Sequence, residues 1–238
     1  MNLILSALTL FMLNADIPAK VSFLVGTVTI DRAGKKYSAV LNASLLVDDV
    51  VTTGAESECE IQFSNYALVK LTPNSSVKIE RKEETPKGIF HSIFASMGEV
   101  VSKVTKMNKG DEYQMRTEAA QAFIRGTTFK TAIEPDGTSS FSVFEGNVVV
   151  KSLLEGAKEI ILNENFKSQI KKGELEPFVD KLSELEITTF ANSYKDFLDR
   201  GKALDEMREK MEQEKKKIEE DLKKEKDDAK DKLKGLFK

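Results

Sequence analysis

The sequence has one cysteine and one histidine in 238 residues, and these two scarcities exclude more than its common residues do. A lone thiol cannot close an internal disulfide or build a cysteine-cluster metal site. A lone imidazole removes the zinc and histidine-dependent nucleophilic constellations. Cys59 alternates with Ile61 and Phe63 in "SECEIQFS" and reads as a small apolar side chain on the inner face of a strand. His91, in "IFHSIF", has no second ligand type beside it and reads as a packed or half-exposed strand residue. Catalytic, cofactor-binding and metal residues are accordingly expected to be absent. Charge of one sign is lacking too: 36 basic and 39 acidic residues give a net charge of −3, which offers no basic field to a phosphate backbone. Nucleic acid is not an expected partner.

Long hydrophobic runs are scarce as well. The one from Leu3 to Leu13 is about half the ~20 residues a helix needs to cross a bilayer. It is followed by Leu13-Asn14-Ala15, the layout of a secretory signal peptide cut after Ala15, although no Lys or Arg precedes the run. A cleaved signal peptide over residues 1–15, export to the periplasm and no transmembrane helix in the mature chain are the expectations. A buried first strand is the other reading.

From Lys20 to about Ile170 the chain shows short period-2 segments separated by Gly, Pro and Asn turns, as in "KVSFLVGTVTI", "SECEIQFSNYALVKL", "GEVVSKV" and "SSFSVFEGNVVV". This predicts a mainly β chain: an antiparallel-rich β-sandwich, roll or short β-solenoid-like domain over 16–172, followed by a long charged C-terminal α-helix over 178–238. Past Pro177, Phe178, Leu182, Leu185, Phe190, Tyr194, Phe197 and Leu198 recur at mostly three- and four-residue steps and are expected on one helical face. Beyond Gly201 about two thirds of the residues are charged. Acid-first pairs such as Glu206-Lys210 and Glu212-Lys216 at i,i+4 each contribute about 0.2–0.5 kcal/mol to an isolated helix. A thin apolar series, Leu204, Met207, Met211, Ile218 and Leu222, marks a candidate partner contact. A solvated single helix, a weak coiled coil with a partner or with itself, and disorder are the three readings of this tail.

"LVDDVVTTGAESECEIQFSNYALVKLTPNSSVKIE", then "GEVVSKV", then "TEAAQAFIRGTTFKTAIEPDGTSSFSVFEGNVVV" resembles the FecR domain family in order and spacing. The matching positions include Asp49, Gly54, Arg125, Gly126, Thr127, Phe129, Glu145 and Gly146. The resemblance implies a bacterial, non-enzymatic β domain that works through protein partners in the cell envelope. Sigma-factor regulation, known in the best-described members, is not carried over, because the matching cytoplasmic segment and spanning helix are not seen in this sequence. The expected role is an interaction or scaffold module. The alternative is a soluble component of cell-surface signalling without its own sigma-regulating segment.

Arg125-Gly126 interrupts an apolar run, and two readings apply. In the structural one, glycine turns the chain between faces while a partly buried arginine is held by an acid from another turn: Asp49, Glu118 or Glu145, with Asp49 and Glu145 favoured. In the functional one, Arg125 faces outward toward an anionic ligand or partner. An enzyme acting on cell-wall glycan would need two converging carboxylates, and the sequence singles out no such pair.

Overall fold

The computed structural model describes residues 19–64, 66–85, 88–105 and 110–236. The expected signal peptide and the turns at Pro86-Lys87 and Asn108-Lys109 lie outside them. In chain order the described strands are β1 (Ala19–Val25), β2 (Val28–Arg32), β3 (Lys35–Ser38), β4 (Ser44–Leu45), β5 (Val50–Thr53), β6 (Glu58–Phe63), β7 (Ala67–Leu71), β8 (Ser76–Thr85) and β9 (Gly88–Val104). They continue as β10 (Glu112–Arg116), β11 (Ala120–Ile124), β12 (Thr127–Ile133), β13 (Ser139–Glu145), β14 (Asn147–Ser152), β15 (Ile160–Asn163), β16 (Phe166–Ile170) and β17 (Phe178–Lys181). Two helices follow, α1 (Glu184–Ser193) and α2 (Lys195–Leu236).

The pairings sort these strands into two layers. One runs β4-β1-β6-β7-β9-β12-β13-β16-β17. The other runs β3-β2-β5-β8-β9-β10-β11-β14-β15. Strand β9 belongs to both: its first part pairs with β8 and β10, and from Gly98 onward it pairs with β7 and β12. Every pairing is antiparallel except β9 with β10, so the expected antiparallel-rich sandwich or roll is what forms. The alternation in each strand explains the core. Cys59, Ile61 and Phe63 of β6, Ala67, Val69 and Leu71 of β7, and Phe141 and Val143 of β13 all point between the layers and are buried. Burial holds the Cys59 thiol well above its usual range, up to about 12, with the Glu60 carboxylate adding to the effect.

Strand β7 departs from this rule, because all five of its residues are buried. The reason lies outside the sandwich. Its outward-facing Leu68, with Val101 of β9 and the partly buried Phe144 of β13, packs against Phe190, Tyr194, Phe197, Leu198 and Leu204 of the two helices. The helices therefore cover the outer face of one sheet.

Two sequence expectations are corrected here. The helix does not start at Phe178: residues 178–181 pair with β16 as the edge strand β17, and Leu182 donates its N–H to Asn165 and is buried. The helix begins after Ser183, whose hydroxyl accepts the Glu186 N–H while the Glu186 carboxylate accepts the Ser183 N–H. This S-x-x-E capping box was legible in the sequence and sets the start. Nor is the helix continuous, since Tyr194 breaks it in a non-helical conformation between α1 and α2.

Candidate interaction site

Among the places where the described chain crosses from one layer to the other, six tight corners lie against each other in three pairs. Gly26 sits on Glu56-Ser57, Gly98 on Asn74-Ser75, and Gly146 on Gly126-Thr127. In each pair the residue before the hydroxyl has a left-handed backbone: φ is 53° at Glu56, 55° at Asn74 and 69° at Gly126. In each pair the hydroxyl ties the two corners together. Ser57 Oγ accepts the Thr27 N–H at 2.9 Å, Ser75 Oγ accepts the Glu99 N–H at 3.0 Å, and Thr127 Oγ1 donates to the Asn147 carbonyl at 2.7 Å. "ES", "NS" and "GT" are therefore three versions of one device, and Arg125-Gly126-Thr127 is the third. The sequence signal was a small hydroxyl residue preceded by a residue suited to, or forced into, φ above zero, with a glycine in the facing corner.

The positions that carry the sequence resemblance play different structural parts. Gly54, Gly126, Thr127 and Gly146 build corners, with the Gly54 N–H donating to Thr27 and its carbonyl accepting from Asn74. Phe129 is core. Asp49 is fully buried and serves its own turn. Its carboxylate accepts the Leu46 N–H at 2.8 Å and a fork from Arg32 at 2.8 and 2.7 Å. Asp49 is thus engaged by Arg32, in contrast to its expected role with Arg125. Arg125 itself is exposed at the rim, not partly buried.

Glu145 completes a different set of contacts. It accepts from Lys103 Nζ at 2.7 Å and from Thr128 Oγ1 at 2.8 Å. Desolvation works against its ionised form, but the Lys103 and Thr128 hydrogen bonds outweigh it and hold the carboxyl below its ordinary range. Lys103 also reaches Asp205 of α2 at 3.4 Å. The corner and the helix thus share an open groove of about 620 Å³, lined by Lys103, Arg125, Glu145, Asp205, Arg208 and Glu209 among others.

The docking of α2 is specific. Glu60 projects from the outer face of β6 with no solvent exposure, and Arg200 meets both its oxygens, one through Nε at 2.8 Å. The Arg200 guanidinium also lies over the Phe23 ring, 5.1 Å from its centroid. Tyr194 donates its hydroxyl to Glu99. Burial, reinforced by that carboxylate, pushes the phenol well above its usual range. Phe190 stacks flat on Phe144. At Gly201 a Cβ would fall 2.8 Å from Lys103 Cγ, so glycine permits the helix to lie this close to β9. Leu204, expected among the partner contacts, is buried in this interface, whereas Met207, Met211, Ile218 and Leu222 are each about half exposed.

At the start of α1, Glu186 joins the helix to β16. Its carboxylate takes Lys167 Nζ at 2.7 Å and the Ser183 cap, and the Lys167 hydrogen bond is the main cause lowering its pKa from 4.5 to about 2. A depressed carboxylate contributes stability that is complete above the unfolded value and is lost as pH falls through the folded one. The melting-temperature gap between the parent and Glu186→Gln is therefore expected to be constant above about pH 5 and to close toward pH 2. Thermal melts across that range check it, and a gap that persists at pH 2 would refute the assignment.

No group of three His, Cys, Asp or Glu side chains among the described residues is placed to hold a metal ion. No described helix is long and apolar enough to cross a membrane. A family model described as FecR protein matches residues 49–149. Two crystal structures of a proposed anti-sigma factor from Parabacteroides distasonis ATCC 8503, at 1.65 and 2.50 Å resolution, are similar at 15% and 17% identity with a TM-score of 0.49. The likeness covers 59% of this chain and spans 63% of the length of those chains. No curated protein matches the sequence.

Proposed function

We propose, from the premise that residues 49–149 form a FecR domain, that the chain is a non-enzymatic protein-interaction module of the bacterial cell envelope. In this reading it is exported to the periplasm by removal of residues 1–15. The β domain is a rigid platform, and α2 is the arm that meets a protein partner. One observation carries the reading: α2 is clamped to the sheet through Phe197, Arg200 and Leu204, then runs on with Met207, Met211, Ile218 and Leu222 exposed on an otherwise charged helix. A solvated helix needs no apolar series, and apolar anchors at helical spacing are what a partner groove or helix reads. The FecR domain supports a second, related reading in which that partner belongs to a cell-surface signalling system.

Photo-crosslinking residues incorporated at Met211 or Ile218 in living cells test the proposal. We expect a discrete protein adduct from either position, and none from Gln213 on the opposite face. An adduct-free result at both positions removes the arm from the function. Fractionation together with the mass of the mature N-terminus tests export, with Asp16 expected as the first residue. For signalling, deletion is expected to change transcripts of a small set of envelope genes, and an unchanged profile would end that reading.

A further inference from the structure

The outermost strands of the two layers meet solvent in different ways. Strand β3 carries Lys35 and Lys36, β4 is two residues long, and β17 carries Asp180 and Lys181. Charge and shortness are two of the means by which an edge is kept from pairing with another chain. Strand β15, Ile160-Ile161-Leu162-Asn163, carries no charge, and among the described residues it pairs with β14 alone. Leu162 is buried between the layers, so Ile161 points outward, where it is 68% exposed. It ends an apolar row across that outer face, because Phe123 of β11 stands opposite Val149 of β14 and Val149 stands opposite Ile161.

The facing layer ends one strand further out. Strand β15 passes into β16 through the two-residue corner Glu164-Asn165, which seats β16 across from β15. Strand β16 pairs with β13 on one side and β17 on the other, so β17 overhangs the β15 edge with no described strand beneath it. Val179 of β17 stands opposite Ser168 and shares its face, yet Ser168 is fully buried and Val179 is 43% exposed. Phe166, on the same inward face of β16 as Ser168 and Ile170, is also exposed. We propose that this step is a strand-addition site: an extended segment of a partner protein pairs with β15 and fills the space beneath β17. Its inward side chains pack under Val179 and Phe166 and its outward ones lie beside Ile161. The segment is therefore uncharged along β15, apolar inward and β-branched outward. A second copy of this chain does not fit. The step is one strand wide, about 4.8 Å, and pairing β15 with β15 about a two-fold axis would bring β17 of each copy onto β16 of the other. The inference rests on the reading of the chain as an interaction module, and it uses no residue of α2.

Amide exchange of the full chain with a peptide probe, four Thr-Val repeats between two lysines, tests the site. Slowed exchange is expected within Ile160–Asn163, with Lys35–Ser38 and Phe178–Lys181 unchanged. Ile161→Lys and Val179→Lys alter exposed side chains and are each expected to weaken the probe about tenfold or more. Tyr37→Lys, on the β3 edge, is expected to leave its affinity as in the parent. In cells, a photo-crosslinking residue at the exposed Asn163 is expected to give an adduct that Ile161→Lys abolishes and Met211→Glu does not. The linked residue of the partner is expected in a segment of the stated composition. A probe that leaves residues 160–163 unprotected, protects the three edges equally, or binds Val179→Lys as it binds the parent overturns the proposal, as does an Asn163 adduct that survives Ile161→Lys. The crosslinks from Met211 and Ile218 keep the two failures apart: adducts there with none at Asn163 refute strand addition and preserve the interaction module, and adducts from none of the three positions refute both.

Discussion

Gly146→Ala and Gly98→Ala are each expected to lower the free energy of unfolding by about 3 kcal/mol, while Gly34→Ala and Gly137→Ala cost about 1 kcal/mol. All four glycines have left-handed backbones, with φ of 81°, 80°, 80° and 83° respectively, so the conformational penalty is common to them. The difference is space. A Cβ on Gly146 would lie 2.6 Å from the Gly126 carbonyl oxygen, and one on Gly98 would lie 2.7 Å from the Asn74 carbonyl and closer still to Ser75 Oγ. Those atoms belong to the facing corner, which cannot withdraw without breaking the hydroxyl bridge that holds the pair together. Around Gly34 and Gly137 nothing lies within 4 Å, and only the penalty for a left-handed alanine remains. Equilibrium denaturation of the four variants decides the matter. Equal losses at all four positions would show that the stacked corners do not bear on stability.

Arg200→Ala is expected to destabilise the chain by about 2 kcal/mol and to release α2 from the sheet. The figure sits below the 3–5 kcal/mol typical of breaking a fully buried pair because the Arg200 side chain is itself 42% exposed. Glu60 has no exposure at all, and without Arg200 its remaining cationic neighbour is Lys70 at 3.9 Å, which is already committed to Glu58. The carboxylate would be left in an apolar interface, and the economical escape is for the helix to lift and admit water. Amide exchange across Phe190 to Leu204 is expected to speed up in the variant, with the β core unchanged. Arg200→Lys, which cannot offer a fork to both oxygens, is expected to fall between. Wild-type exchange in Arg200→Ala would mean that the apolar cluster alone secures the helix.

The two predictions concern different scales of organisation, and the sequence informed them unequally. Period-2 alternation identified the strands because a sheet buried on one face writes its inward residues at every second position, as in Cys59, Ile61 and Phe63. Where both faces are buried, as at Leu68 and Lys70 in β7, alternation could not say what lay outside, because a covering helix leaves no local mark on the strand. The S-x-x-E box at Ser183 was local and could have placed the helix start, but the apolar steps from Phe178 suggested a start six residues too early. Edge pairing with β16 then claimed residues that fit either period.

Arg125 shows the limit at the site. Its neighbours Ile124 and Phe129 are buried, and from sequence alone that argued for a buried arginine needing an acid. The corner instead turns its side chain to the rim, and Asp49 and Glu145 answer to Arg32 and Lys103. By itself the sequence determined that the chain builds a mainly β domain with tight glycine corners, that a single cysteine closes no internal disulfide, and that a charged helix follows the β domain. These follow from residue type and spacing between near neighbours. Which acid meets which base, which corner stacks on which, and where α2 docks were decided only by the tertiary structure. Glu60 and Arg200 stand 140 residues apart, and no local periodicity carries information over that distance.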